Sequence, residues 1–331
     1  MRIGRRKRLS RCRIYAPASP EIAVGAASFD SPDREHGRAM TENRLTLDRL
    51  RQSPLPVPEE GSKEQRGTVL VAGGSVEVPG AVLLAGVAAL RAGAGRLRIA
   101  TIASSAAIMA LAVPEARVIG LAETEEGSID PAGAQTRLPA MAERCQSVLV
   151  GPGLSAGKAA EALSHAFLAA EAKAALVLDA GVIAGLGRQA EAVRSCRGRA
   201  VLTPHAGEMA QLLDMERGAV EADPLAAARR AADLLGCVVI MKGAKSWIVD
   251  PGGAAWLYDG GGVGLATSGS GDVLSGIIAG LLARGAEAMR AALWGVYLHG
   301  QAGRRLAERV GPVGFLAREI ADEVPAILRE V

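Results

Sequence analysis

Residues 260–276 read GGGVGLATSGSGDVLSG, with glycines at 260–262, 264 and 269 ahead of Ser270-Gly271-Asp272 and an apolar run from Val273 to Leu282. The pattern predicts a flexible glycine-rich loop feeding the first turn of a buried helix. Such a helix start presents unpaired backbone N–H groups and the positive end of the helix dipole, which makes it an anion site suited to phosphate. Asp272 is out of character there, because a carboxylate repels phosphate unless it has another task. Three readings stay open for it: general base toward a substrate hydroxyl, partner of Mg²⁺, or helix N-cap.

Upstream of this stretch, apolar runs alternate with helical spacing. Strands are predicted at 68–74, 95–101, 117–122, 147–151, 175–181, 199–205, 237–243, 246–250 and 254–258. Helices are predicted at 79–94, just after 101, and at 131–144, 156–172, 207–213, 222–235, 271–284, 286–309 and 315–329. Continuously apolar strands separated by helices imply a sheet buried on both faces. The expected fold is α/β: a single, doubly wound domain from 67 to 331, with a mostly parallel central sheet flanked by helices. Ligands of such sheets bind outside the carboxyl ends of the strands. The glycine-rich and polar turns lie there: Gly73-Gly74-Ser75, Gly151-Pro152-Gly153, Asp179-Ala180-Gly181, Thr203-Pro204-His205 and Lys242-Gly243.

Composition narrows the class. The chain has 331 residues, 49% of them apolar but only 3% aromatic, which favours a tightly packed α/β core over base stacking on nucleic acid. The net charge of +3 is concentrated in the first fourteen residues, which hold seven Arg/Lys and no acid. Residues 1–39 read as a basic, disordered leader, with Met40 as an alternative start, and 40–66 as a short helix and Pro-rich linker. Cys12, Cys145, Cys196 and Cys237 are scattered, without metal spacing, as in a reducing, cytoplasmic protein. No apolar run is long enough to predict a membrane span. His36, His165 and His299 have no motif context and read as surface or core residues, and Trp247 and Trp256 read as packing.

The ordered set VAGGSVEVPGA (71–81), RAGAGRLRIAT (91–101), GPGL (151–154), LVLDAG (176–181), LTPHAGE (202–208), VVIMKG (238–243) and GLATSGSGD (264–272) resembles the NAD(P)H-hydrate dehydratases of the ribokinase-like superfamily. The GSGD element alone marks only the superfamily; LTPHAGE between LDAG and MKG is the specific part. The resemblance implies dehydration of the S-epimer of hydrated NADH or NADPH (NADHX, NADPHX), with ADP (or ATP) as co-substrate and Mg²⁺ as cofactor. It implies Asp272 as the catalytic acidic residue, with Gly269, Ser270 and Gly271 forming an anion hole. Lys242, Gly243, Ala244, Lys245, Ser246 and Gly271 match nucleotide-binding positions. Ala81, Gly153, His205 and Asp272 match positions that bind the hydrated dinucleotide. Metal ligands stay unassigned, with Asp179 and Glu208 open between a metal-side role and a capping role.

The implied partners are these small molecules and a separate epimerase acting on the other epimer, since 1–66 are too few and too polar to form an epimerase domain. Neither nucleic acid nor membrane is implied; a homo-oligomer, a tetramer among the options, is. The sequence departs from the family pattern at Arg66-Gly67-Thr68-Val69, which lacks an aromatic, at Ser270 in place of the commoner Thr, and at Gly262-Val263 in place of an Asn-containing turn. Two rivals share the Gly-rich turn: a vitamin-alcohol kinase of the same superfamily and a non-catalytic adenine-nucleotide sensor.

Overall fold

The computed structural model describes residues 42–57, 65–170 and 173–331. The predicted leader at 1–39, with Cys12 and His36, lies outside the described residues. The strands are β1 (Glu42–Arg44), β2 (Thr68–Ala72), β3 (Arg96–Ile102), β4 (Ala116–Leu121), β5 (Ser147–Val150), β6 (Ala175–Leu178), β7 (Ala200–Leu202), β8 (Val238–Met241), β9 (Ser246–Val249) and β10 (Ala255–Tyr258). The helices are α1 (Leu47–Arg51), α2 (Gly80–Arg91), α3 (Ala103–Ala112), α4 (Pro131–Ala142), α5 (Lys158–Leu168), α6 (Ala190–Ser195), α7 (Ala206–Leu213), α8 (Arg217–Ala222), α9 (Pro224–Leu235), α10 (Ser270–Ala283), α11 (Ala288–Arg309) and α12 (Ala317–Glu330).

The strands form one ten-stranded sheet in the order β1-β10-β9-β8-β7-β6-β5-β2-β3-β4. From β8 to β4 every neighbouring pair is parallel, and β9 alone runs against the rest. The interior strands β2, β5 and β8 are buried throughout and apolar apart from a leading Thr or Ser, reading TVLVA, SVLV and VVIM. Two hydrophobic layers cover the sheet. α2, α10, α11 and α12 pack on one face around Ala85, Ile277 and Trp294. α4, α5, α7 and α9 pack on the other around Leu163, Met209 and Ala231. The expected doubly wound α/β fold is the one found.

Three features differ from the sequence reading. The segment expected as a short helix and linker ahead of Gly67 contributes a strand as well as a helix to this unit. β1 pairs with β10, Leu50 of α1 is buried, Trp294 Nε1 donates to the Ser53 carbonyl, and Arg284 donates to the carbonyls of Pro56 and Ala92. The three-residue strand Glu-Asn-Arg carries no apolar alternation that could have announced it. The helix expected at 222–235 is α9, which Asp223 caps through Ala226 N, and a further short helix, α8, which was not expected, precedes it; the two are separate because Asp223, ahead of Pro224, leaves helical geometry. Between β6 and β7, where no helix was expected, the chain forms a 3₁₀ helix (Ala180–Gln189) and α6.

The chain order reverses beside β2: β3 and β4 lie on one side, β5 and β6 on the other. The crevice rule for such sheets points to the carboxyl ends of β2 and β5. There Gly74 N donates to the Pro152 carbonyl at 2.8 Å.

One helix contact governs the geometry of that end. α10 is apolar all round and buried from Val273 to Ala283, so it runs through the interior. It approaches α2 so closely that a Cβ on Gly276 would collide with the Ala85 carbonyl, and one on Gly280 with the Ala89 carbonyl. A backbone obstacle cannot rotate away as a side chain can. Gly276→Ala is therefore expected to lower stability by roughly 1–3 kcal/mol, as overpacking does. Gly218→Ala in α8, where an added Cβ meets nothing within 4 Å, should be neutral or slightly stabilising. Urea denaturation of the two variants checks both outcomes.

Candidate active site

Gly269 is the N-cap of α10, with φ +84°, and offers no side chain to cap the helix. Asp272 lies in the first turn, and its carboxylate is not the cap that one reading expected. Gly271 faces Lys242: a Cβ there would stand 3.4 Å from Lys242 Nζ. The ammonium of the β8 end therefore lies over the first turn of α10.

Lys242 is held by acidic partners from the end of β6 and the first turn of α7. Its Nζ is 3.1 Å from Asp179 Oδ1 and 3.8 Å from Glu208 Oε2, and its side chain is only 20% exposed. Asp179 Oδ1 also accepts from Thr203 Oγ1 at 2.7 Å. Asp179 occupies the N-cap position of the 3₁₀ helix without making a side-chain capping bond; its carboxylate serves Thr203 and Lys242 instead.

The three carboxylates and one ammonium interact strongly. Burial pushes the Asp272 carboxyl up, the charges of Asp179 and Glu208 add to the rise, and Lys242 offsets part of it, leaving the group at about 7. Burial on its own pulls the Lys242 ammonium down. Asp179 and Glu208, with Asp272 behind them, outweigh that and hold it above its ordinary value. A carboxyl that exchanges its proton near neutrality, beside a lysine that stays charged, is equipped to accept a proton next to an anion.

His205 is the N-cap of α7. Its Nδ1 accepts from Gly207 N at 3.0 Å and Glu208 N at 3.2 Å, while the backbone N–H of His205 donates to Glu208 Oε2 at 2.9 Å. A neutral ring capping in this way carries its hydrogen on Nε2. The side chain is 59% exposed, and Nε2 lies 3.6 Å from Glu208 Oε1, beyond hydrogen-bond reach. The turn role and a ligand role thus use different atoms of one ring.

Glu208 completes this capping box, so the first-turn role weighed for it is realised. Lys242 N donates to the Pro204 carbonyl at 2.8 Å, which joins the His205 turn to the Lys242 turn.

Ala81 and Gly153 meet at the chain-reversal point. Gly153, with φ +73°, has Ala81 Cβ 3.1 Å and Gly74 Cα 3.2 Å from where a Cβ would be. Gly243, Ala244 and Lys245 form the exposed turn before β9, which opens at Ser246. Asp259, immediately before the glycine loop, is held low chiefly by its hydrogen bond with Arg44, with a smaller contribution from Lys245. Tyr258 pairs with Ser246 across β10 and β9, which brings the β8–β9 turn beside the start of the glycine loop.

Among the described residues no group of three His, Cys, Asp or Glu is arranged to hold a metal. One functional candidate escaped the sequence reading. His299, expected to be an ordinary surface or core residue, places Nε2 2.9 Å from Ser270 Oγ and 3.1 Å from the Ser270 carbonyl oxygen. The available signal was its helix, in which Gly295, Gly300 and Gly303 mark close approach to Ile278, Tyr258 and Leu265.

The chain was compared with known proteins. The family model for NAD(P)H-hydrate dehydratase matches residues 69–326. The ADP-dependent (S)-NAD(P)H-hydrate dehydratase of Xanthomonas campestris pv. campestris is 51% identical over 86% of this chain and 95% of its own length. The bifunctional NAD(P)H-hydrate repair enzyme Nnr of Moorella thermoacetica is 36% identical over 84% of this chain, which spans only 52% of that longer protein. Among solved structures, the ADP/ATP-dependent NAD(P)H-hydrate dehydratase of Bacillus subtilis, co-crystallised with ATP and Mg²⁺, superposes with a TM-score of 0.73. It is 28% identical, with 88% of this chain and 99% of that one covered. With a family match spanning most of the chain and a relative half identical to it along almost its whole length, this chain belongs to the NAD(P)H-hydrate dehydratase family.

Proposed function

We propose that the chain removes water from the S-epimer of hydrated NADH or NADPH, using ADP and releasing AMP and phosphate. The observation that carries this reading is Asp272, a carboxyl poised at about 7 in the first turn of a helix whose start is open to an anion. A sensor needs no such base. Asp272 takes the proton of the ring hydroxyl, and the hydroxyl oxygen attacks the terminal phosphorus of ADP as AMP leaves. The ring then carries phosphate, a far better leaving group than hydroxide. The carbon–oxygen bond breaks, phosphate departs with the electron pair, the adjacent carbon gives up a proton, and the dihydronicotinamide is restored. With ATP the same steps yield ADP.

The chain's residues divide this work. Backbone N–H groups of Gly269, Ser270 and Gly271 form the anion hole for the transferring phosphoryl group. Lys242 places its charge beside them. Gly243, Ala244, Lys245 and Ser246 receive the nucleotide. Ala81 and Gly153 give the dinucleotide a close approach to backbone at the chain reversal, and His205 offers its Nε2–H. Asp179 holds Lys242 in place.

The acid excess around Lys242 is an oxygen-only donor set, which fits a hard cation such as Mg²⁺. Asp179 and Glu208 would face such an ion through water, since no all-protein cage is present among the described residues. When bound, it would neutralise charge on the phosphates.

The domain is taken to extend from 67 to 331, with 42–57 completing its edge. The other epimer of the hydrate is left to a separate epimerase. A cytoplasmic location fits the free, buried thiols of Cys145, Cys196 and Cys237, and among the described residues no helix is long and apolar enough to cross a membrane. Self-association, a homo-oligomer of this chain, belongs to the same reading: Ile108 and Leu111 on α3 are 72% and 85% exposed.

The first test is recovery of dihydronicotinamide absorbance from purified hydrated NADH with ADP and Mg²⁺. Asp272→Ala is expected to lower turnover roughly 100- to 10,000-fold, the range for loss of a general base; an unaffected variant would remove Asp272 from that role. In the wild type, kcat/KM should fall as pH drops below about 7, because the base must be deprotonated. Lys242→Met removes the charge that lowers this carboxyl, so its pH limb should move to higher pH, measured alongside the weaker nucleotide binding it also causes.

Stability follows the opposite sign. The folded Asp272 carboxyl holds its proton up to about 7, well above the range of an unfolded aspartate. Its ionisation therefore destabilises the fold as pH rises through that interval. Asp272→Asn should raise the melting temperature by roughly 2 °C or more at pH 8, by less at pH 5, and leave it unchanged only below about pH 4, where the carboxyl is protonated in both states.

A further inference from the structure

Ser270 lies between Gly269 and Gly271, the two residues least able to hold a peptide plane by themselves. The peptide joining Ser270 to Gly271 is planar and trans, so its C=O and N–H point in opposite directions. Fixing the oxygen therefore fixes the direction of the Gly271 N–H. That N–H, in the first turn of α10, has no intrahelical acceptor. His299, from α11, contacts the oxygen end: its Nε2 is 3.1 Å from the Ser270 carbonyl oxygen and 2.9 Å from Ser270 Oγ.

A carbonyl oxygen only accepts, so in a hydrogen bond to it Nε2 carries the hydrogen. The other tautomer would set a nitrogen lone pair against the carbonyl lone pairs. We propose that His299 is a positioning residue for phosphoryl transfer, which holds the Ser270–Gly271 peptide by its oxygen and so aims the Gly271 N–H into the anion hole.

The surroundings keep this device constant. Burial pushes the His299 ring down to about 4; the hydrogen bond to Ser270 opposes that fall and the Lys242 charge adds to it. At neutral pH the ring is uncharged and its one hydrogen stays on Nε2. Ser270 is itself buried, 5% exposed, so water cannot replace the contact cheaply. No group of His299 reaches the reacting atoms in this scheme.

The inference rests on the proposed function only in naming the group that is transferred. Its test is kinetics of His299→Ala and His299→Gln, each in the native and the Ser270→Ala background, with melting temperatures for all. Removal of a whole oxyanion donor costs about 100- to 1,000-fold, so a misaimed one should lower kcat roughly 10- to 100-fold. The KM for ADP should stay within about twofold. Gln, whose amide N–H can reach the same oxygen, should recover most of the loss, and the Ala effect should persist without the Ser270 hydroxyl.

Four results would overturn the proposal: unchanged kcat, a rise in KM alone, an effect that vanishes in the Ser270→Ala background, or a loss that tracks the melting temperature and is not rescued by Gln. Phosphorus NMR of inorganic phosphate binding in the presence of AMP reads the hole independently of the dinucleotide. Binding weakened by Ala and restored by Gln supports the positioning role even if wild type leaves hydrated NADH untouched, a result that would count against the proposed function alone. Equal binding by all variants refutes the positioning role.

Discussion

The close approach of α10 to α2 is the constraint on which the rest of the molecule depends. Gly276 and Gly280, one turn apart, let two backbones meet where any side chain would collide with carbonyl oxygens of α2. This contact does more than fill space. α10 carries the glycine-capped first turn and Asp272 at its start, and α2 carries Ala81 at its own. Locking the two helices together sets the distance between the proposed phosphoryl site and the chain reversal beside β2. Leu84 of α2 lies directly against Gly269, where an added Cβ would stand 2.5 Å from Leu84 Cδ1. Packing and chemistry are thus fixed by the same pair of helices.

Within that frame the site is governed by charge imbalance. Three carboxylates converge on one ammonium, and the carboxylate with least compensation is the one that titrates near neutrality. Asp179 is satisfied by Thr203 and Lys242, and Glu208 is occupied in capping α7. Asp272 is left with burial and like-charge neighbours, softened only by Lys242. The two satisfied acids act on the third through space, so a basic carboxylate arises without any direct hydrogen bond to it.

Much of this was legible in the sequence because parallel strands buried on both faces appear as unbroken apolar runs, and because the functional turns follow them. TVLVA, SVLV and VVIM announced their strands, and the glycine-rich stretch announced α10 with Asp272 in its first turn. The resemblance supplied Lys242 and His205 as candidates.

What could not be read were relations between distant residues. Nothing in LVLDAG shows that Asp179 meets a lysine sixty-three positions on, and nothing in an isolated histidine of a long helix shows that it reaches Ser270. The strand Glu42–Arg44 was missed for a simpler reason: at a sheet edge, with two of three side chains exposed, it has no hydrophobic pattern to betray it.

That edge strand has a consequence for how the molecule keeps to itself. β10 would otherwise be the last strand of the sheet, presenting a row of unpaired amide and carbonyl groups to any other chain. β1 covers it in register from Ala255 to Leu257, and its Arg44 pairs with Asp259 just before the glycine loop. The residues ahead of the motif-bearing region therefore act as a guard on two fronts. They close an adhesive border against intermolecular strand addition, and they tether the base of the glycine-rich loop that leads into α10.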